Sequence, residues 1–412
     1  LRIGIDNNLS LEGKRKEIQR SKYGVSENRS KLLPQINAIA GYSNNFDPPV
    51  SVTDGSSYGV PYNITQTLQH SANAGLEMQM PLFNQTLYTS MSIAKVMEEI
   101  SRLSYGKARE DVILQISKMY YLGQVTAEQI MLIKANITRL EELRDITQAF
   151  FDNGMSMEVD LKRVNINLEN LKVQYDNAQA MMKQQLNMLK YIMDYPAEKE
   201  IALTPVNTDS ITTVALTGLS ENIYELQLSQ SQVQLAERQK KIIANGYIPS
   251  LSLTGSWRYA AYTDKGYHWF HSGPSNQWFR SYGVGLTLRI PIFDGLDKTY
   301  KIKKAMIDIE NKRLAWEDAR KNLQTQYLNA VNDLMNNQRN FKKQKDNYLL
   351  AEDVYAVTSD RYREGIASMT EVLQDEMQMS EAQNNYISAH YNYRVTNLML
   401  LKLTGQIESL VK

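Results

Sequence analysis

Pro81-Leu82-Phe83-Asn84 and Pro291-Ile292-Phe293-Asp294 are the two stretches whose reading decides the fold. Each closes a run of alternating residues. In the first run Leu76, Met78, Met80 and Leu82 point one way and Glu77 and Gln79 the other; in the second Val284, Leu286, Leu288, Ile290 and Ile292 alternate with Gly285, Thr287 and Arg289. A period of two puts each set on its own face of a β-strand. Beyond each signature the chain is free of proline, through residues 82–195 and 292–412, and rich in Lys, Glu, Gln, Leu and Met. Those are helix-forming residues. The chain therefore states strand, Pro-x-Phe corner and very long helix twice.

Working outward, residues 7–32 read as a polar helix that starts at Asn7-Asn8-Leu9-Ser10 and ends at Leu33-Pro34. A strand is expected at about 34–44, a loop from Asn44 to Asn73 (Pro48-Pro49, Asp54-Gly55-Ser56-Ser57, Gly59), and a second strand at about 74–83. The period then changes to three and four, with Val96, Ile100, Leu103, Val112, Ile116 and Met119 on one stripe. Residues 86–150 would extend about 98 Å at 1.5 Å per residue. Asp152-Asn153-Gly154 breaks that helix, since Asn-Gly favours the left-handed turn that ends one. A return helix on the stripe Leu161, Val164, Leu168, Leu171 completes a hairpin over about 86–195. Pro196 to Thr217 is a connector with room for a short strand.

The second half repeats the plan. A helix from near Ser220 ends at Tyr247-Ile248-Pro249, strands follow at about 249–259 and 282–292 around a loop from Ala260 to Ser281, and a hairpin covers about 297–404, broken at Arg363-Glu364-Gly365. Pro34 and Pro249 lie 215 residues apart, Pro81 and Pro291 210, and Gly154 and Gly365 211. Near-equal offsets mark an internal duplication. The expected organisation is a first repeat, 1–205, and a second, 206–412, joined in one elongated body.

Composition narrows the function. Lys+Arg (46) balance Asp+Glu (45), so no basic field for nucleic acid is present. There is no cysteine, which excludes disulfides, thiol catalysis and Cys-based metal sites. No apolar run approaches the roughly 20 residues of a spanning helix. A β-barrel escapes that scan, because only alternate residues face lipid. The chain starts at Leu1, and the simplest expectation is a mature or trimmed chain whose export signal has been removed. His268 and His271 of His268-Trp269-Phe270-His271 lack a third ligand nearby and read as an exposed aromatic loop. Trp257, Trp269, Trp278, Tyr259 and Tyr262 read as interfacial girdle and loop residues. With no phosphate loop and no recognisable nucleophile context, no catalytic residue, cofactor or metal site is expected.

Each copy supplies two antiparallel strands of about nine to eleven residues, the length that crosses a bilayer with tilt. Four strands cannot close a barrel, and open edges in lipid are not tolerated, so several chains must complete one. Three chains give twelve strands; two or four also satisfy the arithmetic. The long helices carry a narrow apolar stripe that only side-by-side packing buries. The alternative is a soluble coiled-coil structural or binding protein with a small β cap, since a half-buried soluble sheet shows the same alternation.

Taken together, these features resemble the TolC-type outer membrane factor family over essentially the whole chain. The motifs are Leu-Leu-Pro-Gln-Ile at 32–36, the two Pro-x-Phe-x corners, the tips Asn153 to Leu161 and Glu364 to Leu373, and the ending Leu400-Leu401-Lys402-Leu403-Thr404-Gly405. The resemblance implies an α+β membrane protein, a homotrimer with a twelve-stranded outer membrane barrel that continues into a periplasmic α-helical barrel. It implies an exit duct for a tripartite efflux pump or type I secretion system. Its partners would be outer membrane lipid, a periplasmic adaptor and, through the adaptor, an inner-membrane transporter. An acidic ring near the closed tip would fall on Asp160 and Glu371, with Gln374 and Asp375 where some members carry a second acid. Tyr362 matches a gate tyrosine, whereas the gate arginine is replaced by Ala367, and Phe151 stands in the first copy where Tyr362 stands in the second. Gly154, Met155, Gly365 and Ile366 would meet the adaptor. Pro81, Phe83, Pro291 and Phe293 would mark the inner membrane-water boundary. The capping of helix N-termini is the competing role for Asp160 and Glu371.

Overall fold

The computed structural model describes residues 1–48, 50–54, 61–66, 68–205, 218–220, 222–263 and 278–411. His268-Trp269-Phe270-His271, Gly55 to Gly59 and most of the 196–217 connector lie outside them. In chain order the elements are α1 (Arg2–Asn7), α2 (Leu9–Ser30), β1 (Gln35–Asn44), β2 (Val50–Asp54), β3 (Tyr62–Gln66), β4 (His70–Phe83), α3 (Gln85–Asp152), α4 (Glu158–Ile192), α5 (Tyr224–Asn245), β5 (Ser250–Thr263), β6 (Trp278–Arg289), α6 (Asp297–Arg363) and α7 (Met369–Leu403), then a 3-10 turn, Ile407–Val411. This is an α+β fold with one four-stranded antiparallel sheet. No described helix is long and apolar enough to cross a membrane.

Contacts divide the chain into two units, and each unit draws on both halves of the sequence. One is built from Gln19–Glu99 and Ser231–Lys312, the other from Leu1–Ile18, Ile100–Gln230 and Arg313–Lys412.

The first unit holds the sheet, in the order β1-β4-β5-β6. Its register joins like with like. Ile36 pairs with Met78, Met78 with Gly255 and Gly255 with Val284; the next apolar row is Ala38, Leu76, Trp257, Tyr282. The rows between them are polar or small: Asn37, Glu77, Ser256, Gly283 and Gln35, Gln79, Thr254, Gly285. Directly paired residues share a face, so one face is apolar and the other polar across all four strands. The apolar face is open, with Ile36 65% and Val284 80% exposed.

Several elements depart from the sequence expectation. The strands run longer: β4 begins at His70 and β5 continues to Thr263, in segments read as loop. His70-Ser71-Ala72-Asn73 shows no alternation of its own; it is extended because β1 and β5 flank it on both sides. A separate hairpin, β2–β3, occupies part of the expected 44–73 loop. In the second copy the strand stops at Arg289, so Ile290, Pro291 and Ile292 lie outside it. The first corner ends β4 at Phe83, as expected. Pro81 sits inside β4 opposite Ser252, beyond the last β1 pair (Gln35 with Gln79), so it has a neighbour on one side only, where a sheet tolerates the missing N–H. A register irregularity lies between Pro81 and Phe83, and the strand ends with Phe83 paired to Leu251.

The fourth residue of each signature starts a helix. Asn84 Oδ1 accepts from Thr86 N at 3.0 Å and caps α3. Asp294 accepts from Leu296 N at 3.1 Å and from Lys298 N at 3.2 Å, and Lys298 Nζ at 2.9 Å holds its carboxyl below the usual range. Between strand and helix the second copy inserts two left-handed residues, Gly295 (φ 67) and Leu296 (φ 68), which the first copy lacks.

The second unit is helical. One apolar cluster joins Ile113 and Ile116 of α3, Leu189 of α4, Leu323 of α6 and Leu398 and Leu400 of α7. Another, near the helix breaks, joins Leu140 and Leu143 of α3 to Val164 and Leu168 of α4, Tyr355 of α6 and Val372 of α7. Both hairpins are thus sewn together along their apolar stripes.

Leu140 is fully buried in the second cluster. Leu140→Ala should cost about 2–5 kcal/mol, read from denaturant melts of the helical circular dichroism signal. Met155→Ala, at an exposed position, should stay within about 0.5 kcal/mol.

Candidate functional site

The candidate site is the pair of hairpin tips. Both turns have the same backbone solution. Gly154 (φ 72) donates to Phe151 O at 2.9 Å and Met155 to Phe150 O at 2.8 Å; Gly365 (φ 76) donates to Tyr362 O at 2.9 Å and Ile366 to Arg361 O at 2.8 Å. This paired pattern is the Schellman C-cap, which needs a residue without Cβ at the left-handed position. It leaves Met155 and Ile366 exposed, at 67% and 63%. Gly154, Met155, Gly365 and Ile366 therefore form two apolar-tipped knobs.

The return helices begin differently. Ser368 caps α7 in a reciprocal box: its Oγ accepts from Glu371 N at 3.3 Å, and Glu371 Oε2 accepts from Ser368 N at 3.2 Å. Glu371 is thus held by its own helix end. In α4 the N-cap is Met157, which has no side-chain bond to give. Asp160 instead lies 3.4 Å from Arg163, and Arg163 reaches across to Thr370 Oγ1 of the other hairpin at 3.2 Å. The two acids that the sequence pairs therefore have unlike surroundings: a capping carboxylate and an ion-paired one.

Tyr362 is buried. Its ring meets Phe150 at 5.7 Å and its hydroxyl donates to Thr147 Oγ1 at 3.4 Å, while Phe151, its counterpart in the first copy, is exposed. Burial raises the phenol pKa, the Thr147 hydrogen bond opposes that, and Asp160 adds to it. Tyr362 is therefore a packing residue between hairpins. Ala367 is also buried; Gln374 is exposed and Asp375 half-buried.

Sequence reasoning missed a row of buried polar residues on α7. Val372, Met379, Tyr386 and Tyr393 repeat every seven residues on its buried side, and Glu376, Gln383 and His390 repeat every seven between them. Gln383 Oε1 accepts from Asn136 Nδ2 of α3 at 2.7 Å; Tyr386 donates to Glu128 at 2.9 Å; His390, fully buried, accepts at Nε2 from Arg394 at 3.0 Å. The signal that finds them is a polar heptad inside an apolar one.

On the sheet's polar face Glu77 and Arg258 form a cross-strand ion pair beside Asn37, Gln79, Thr254 and Ser256, which line a cleft of about 510 Å³. Trp257, Tyr259 and Trp278 lie on the apolar face by register, whereas Tyr262, opposite Ser71, lies on the polar one. Phe83 and Phe293 are exposed, at 42% and 82%. Pro81 and Pro291 precede them, inside and beyond the strands respectively. Among the described residues no group of His, Asp and Glu is placed to hold a metal.

The family pattern described as outer membrane efflux protein matches residues 4–193 and 216–406. The chain is 21% identical to the outer membrane protein TolC of Vibrio cholerae over 399 residues, covering 93% of this chain and 84% of that one. It is 23% identical to the probable efflux pump outer membrane protein TtgC of Pseudomonas putida over 379 residues, covering 87% and 75%. Among solved structures, one reported for CusC in a study of folding and transmembrane channel formation superposes with a TM-score of 0.81 at 16% identity, covering 98% of this chain and 90% of that one. The chain belongs to the outer membrane efflux protein family and is a protein of the bacterial outer membrane and the adjoining periplasm.

Proposed function

We propose that the chain is the exit duct of a tripartite efflux pump or a type I secretion system. The observation that carries this reading is the sheet's register: it gathers apolar residues on one open face and polar residues on the other, and among the described residues it leaves the outer edges of β1 and β6 unpaired. In lipid each unpaired backbone group costs several kcal/mol, so the edges call for further copies of the chain. Three copies close twelve strands into a homotrimeric barrel whose polar faces line a water-filled lumen. Pro81, Phe83, Pro291 and Phe293 would sit at the inner membrane-water boundary, with Phe83 and Phe293 facing lipid.

The duct does no chemistry. It conducts substrates passively toward the exterior, and an inner-membrane transporter supplies the energy. Gly154, Met155, Gly365 and Ile366 would dock a periplasmic adaptor, since exposed apolar knobs are surfaces that a partner covers. Asp160 and Glu371 would ring the closed tip, and Gln374 and Asp375 lie one turn further along α7. Three copies of each acid would attract cations and make divalents good blockers. Arg163 tempers the charge of Asp160, so Glu371 would carry more of the ring's field.

Purified protein should need detergent, run as a trimer and form ion-conducting pores in planar bilayers. A monodisperse protein without detergent, or one that never conducts, overturns the duct. The double variant Asp160→Asn, Glu371→Gln should lose most of the block by divalent cations. Gln retains the capping box, so the change reports charge and not helix fraying. Unchanged block in that variant removes the ring. Ser368→Ala, which takes away the cap itself, should lower the thermal stability of the tip by about 1 kcal/mol.

A further inference from the structure

The tip cluster contains one group that does not belong in an apolar core. Glu376 of α7 is 4% exposed, and its Oε1 has no hydrogen-bond partner. Its neighbours along the helix, Val372, Leu373 and Met379, belong to the cluster that takes Leu140 and Leu143 from α3, Val164 and Leu168 from α4 and Tyr355 from α6. The nearby cations are engaged elsewhere. Arg139 of α3 pairs with Glu352 of α6, Arg363 of α6 with Asp360 and Glu142, and Arg163 of α4 with Asp160. On α6 the titratable group that feels Glu376 is the Tyr355 phenol, itself pushed up to about 12, mainly by burial. On α7 itself, Asp375 is half-buried and Glu371 is tied to Ser368. Among the described residues no cation compensates Glu376.

A carboxylate without a partner in such a place is costly, whereas a neutral carboxyl is tolerated. We propose that Glu376 is a proton-operated latch: uncharged, it packs with the four helices and holds the tips together; ionised, it draws in water and loosens them. The geometry alone gives the direction. Burial also raises its pKa from 4.5 to about 7. Because the packed state holds the proton more tightly than the solvated one, packing is most stable below pH 4.5. That stability is lost progressively as pH rises through about 7. The ratio of packed to loosened tips should fall roughly 300-fold across that window. As a control of tip opening the latch rests on the duct reading; as a control of packing it does not.

The test compares wild type with Glu376→Gln, which keeps the shape and removes the charge. In planar bilayers the resting conductance of wild type should rise several-fold from pH 5 to pH 8, and that of Glu376→Gln should stay flat. In detergent, thermal melts of the helical signal should show wild type losing several degrees relative to Glu376→Gln over the same range. Should Glu376→Gln fail to fold, Glu376→Met takes its place, and it should melt above wild type at pH 8. Equal pH dependence of melting in wild type and variant overturns the latch. A wild type that never conducts while its melting still separates from the variant's overturns the duct and leaves the latch standing.

Discussion

A sheet of four strands with an apolar face open to its surroundings and two unpaired edges is unfinished as a single chain. Backbone N–H and C=O groups must be paired wherever water is absent, and nothing within the described chain pairs the outer sides of β1 and β6. The register sharpens the demand. Rows such as Ala38, Leu76, Trp257 and Tyr282 put large apolar side chains on one face of every strand, and a one-residue slip would scramble both faces. The open edges and the apolar face are thus fixed by strand pairing before any helix is considered.

The helices solve a different problem with the same economy. Their apolar stripes are narrow, so stability comes from pairing hairpins from both halves of the chain, as the clusters around Ile113 and around Leu140 do. Apolar stripes alone leave sliding open, because one heptad looks like the next. The buried polar heptad on α7 removes that freedom: Gln383 meets Asn136, and Tyr386 meets Glu128, in one register only. Glu376 is the member of that row without a partner, and it is the one nearest the tips.

The order of strands and long helices was legible in the sequence because local rules govern it. Alternation announced β4, β5 and β6, helical spacing announced the hairpins, and Gly154 and Gly365 announced their turns through the left-handed backbone that only glycine adopts freely. The losses have physical causes as well. His70 to Asn73 is a strand only because its neighbours are, and the short alternation of β2–β3 (Val50 and Val52, Tyr62 and Ile64) lies in a segment that Pro48-Pro49, Gly55 and Gly59 mark as loop.

Sequence by itself determined the outline: strands followed by a long helical hairpin in each half, and hairpin tips that each carry an acid. Those features depend on backbone preference and periodicity, which are properties of neighbouring residues. Tertiary structure alone decided what the matching residues do. It made Glu371 a capping carboxylate and Asp160 an ion-paired one, turned Tyr362 inward against Phe150, and stranded Glu376 among apolar side chains. Equivalent positions in a repeat share a local sequence but not a set of neighbours. Charge state and exposure are set by the neighbours, through solvation and pairing, and these come from distant parts of the chain.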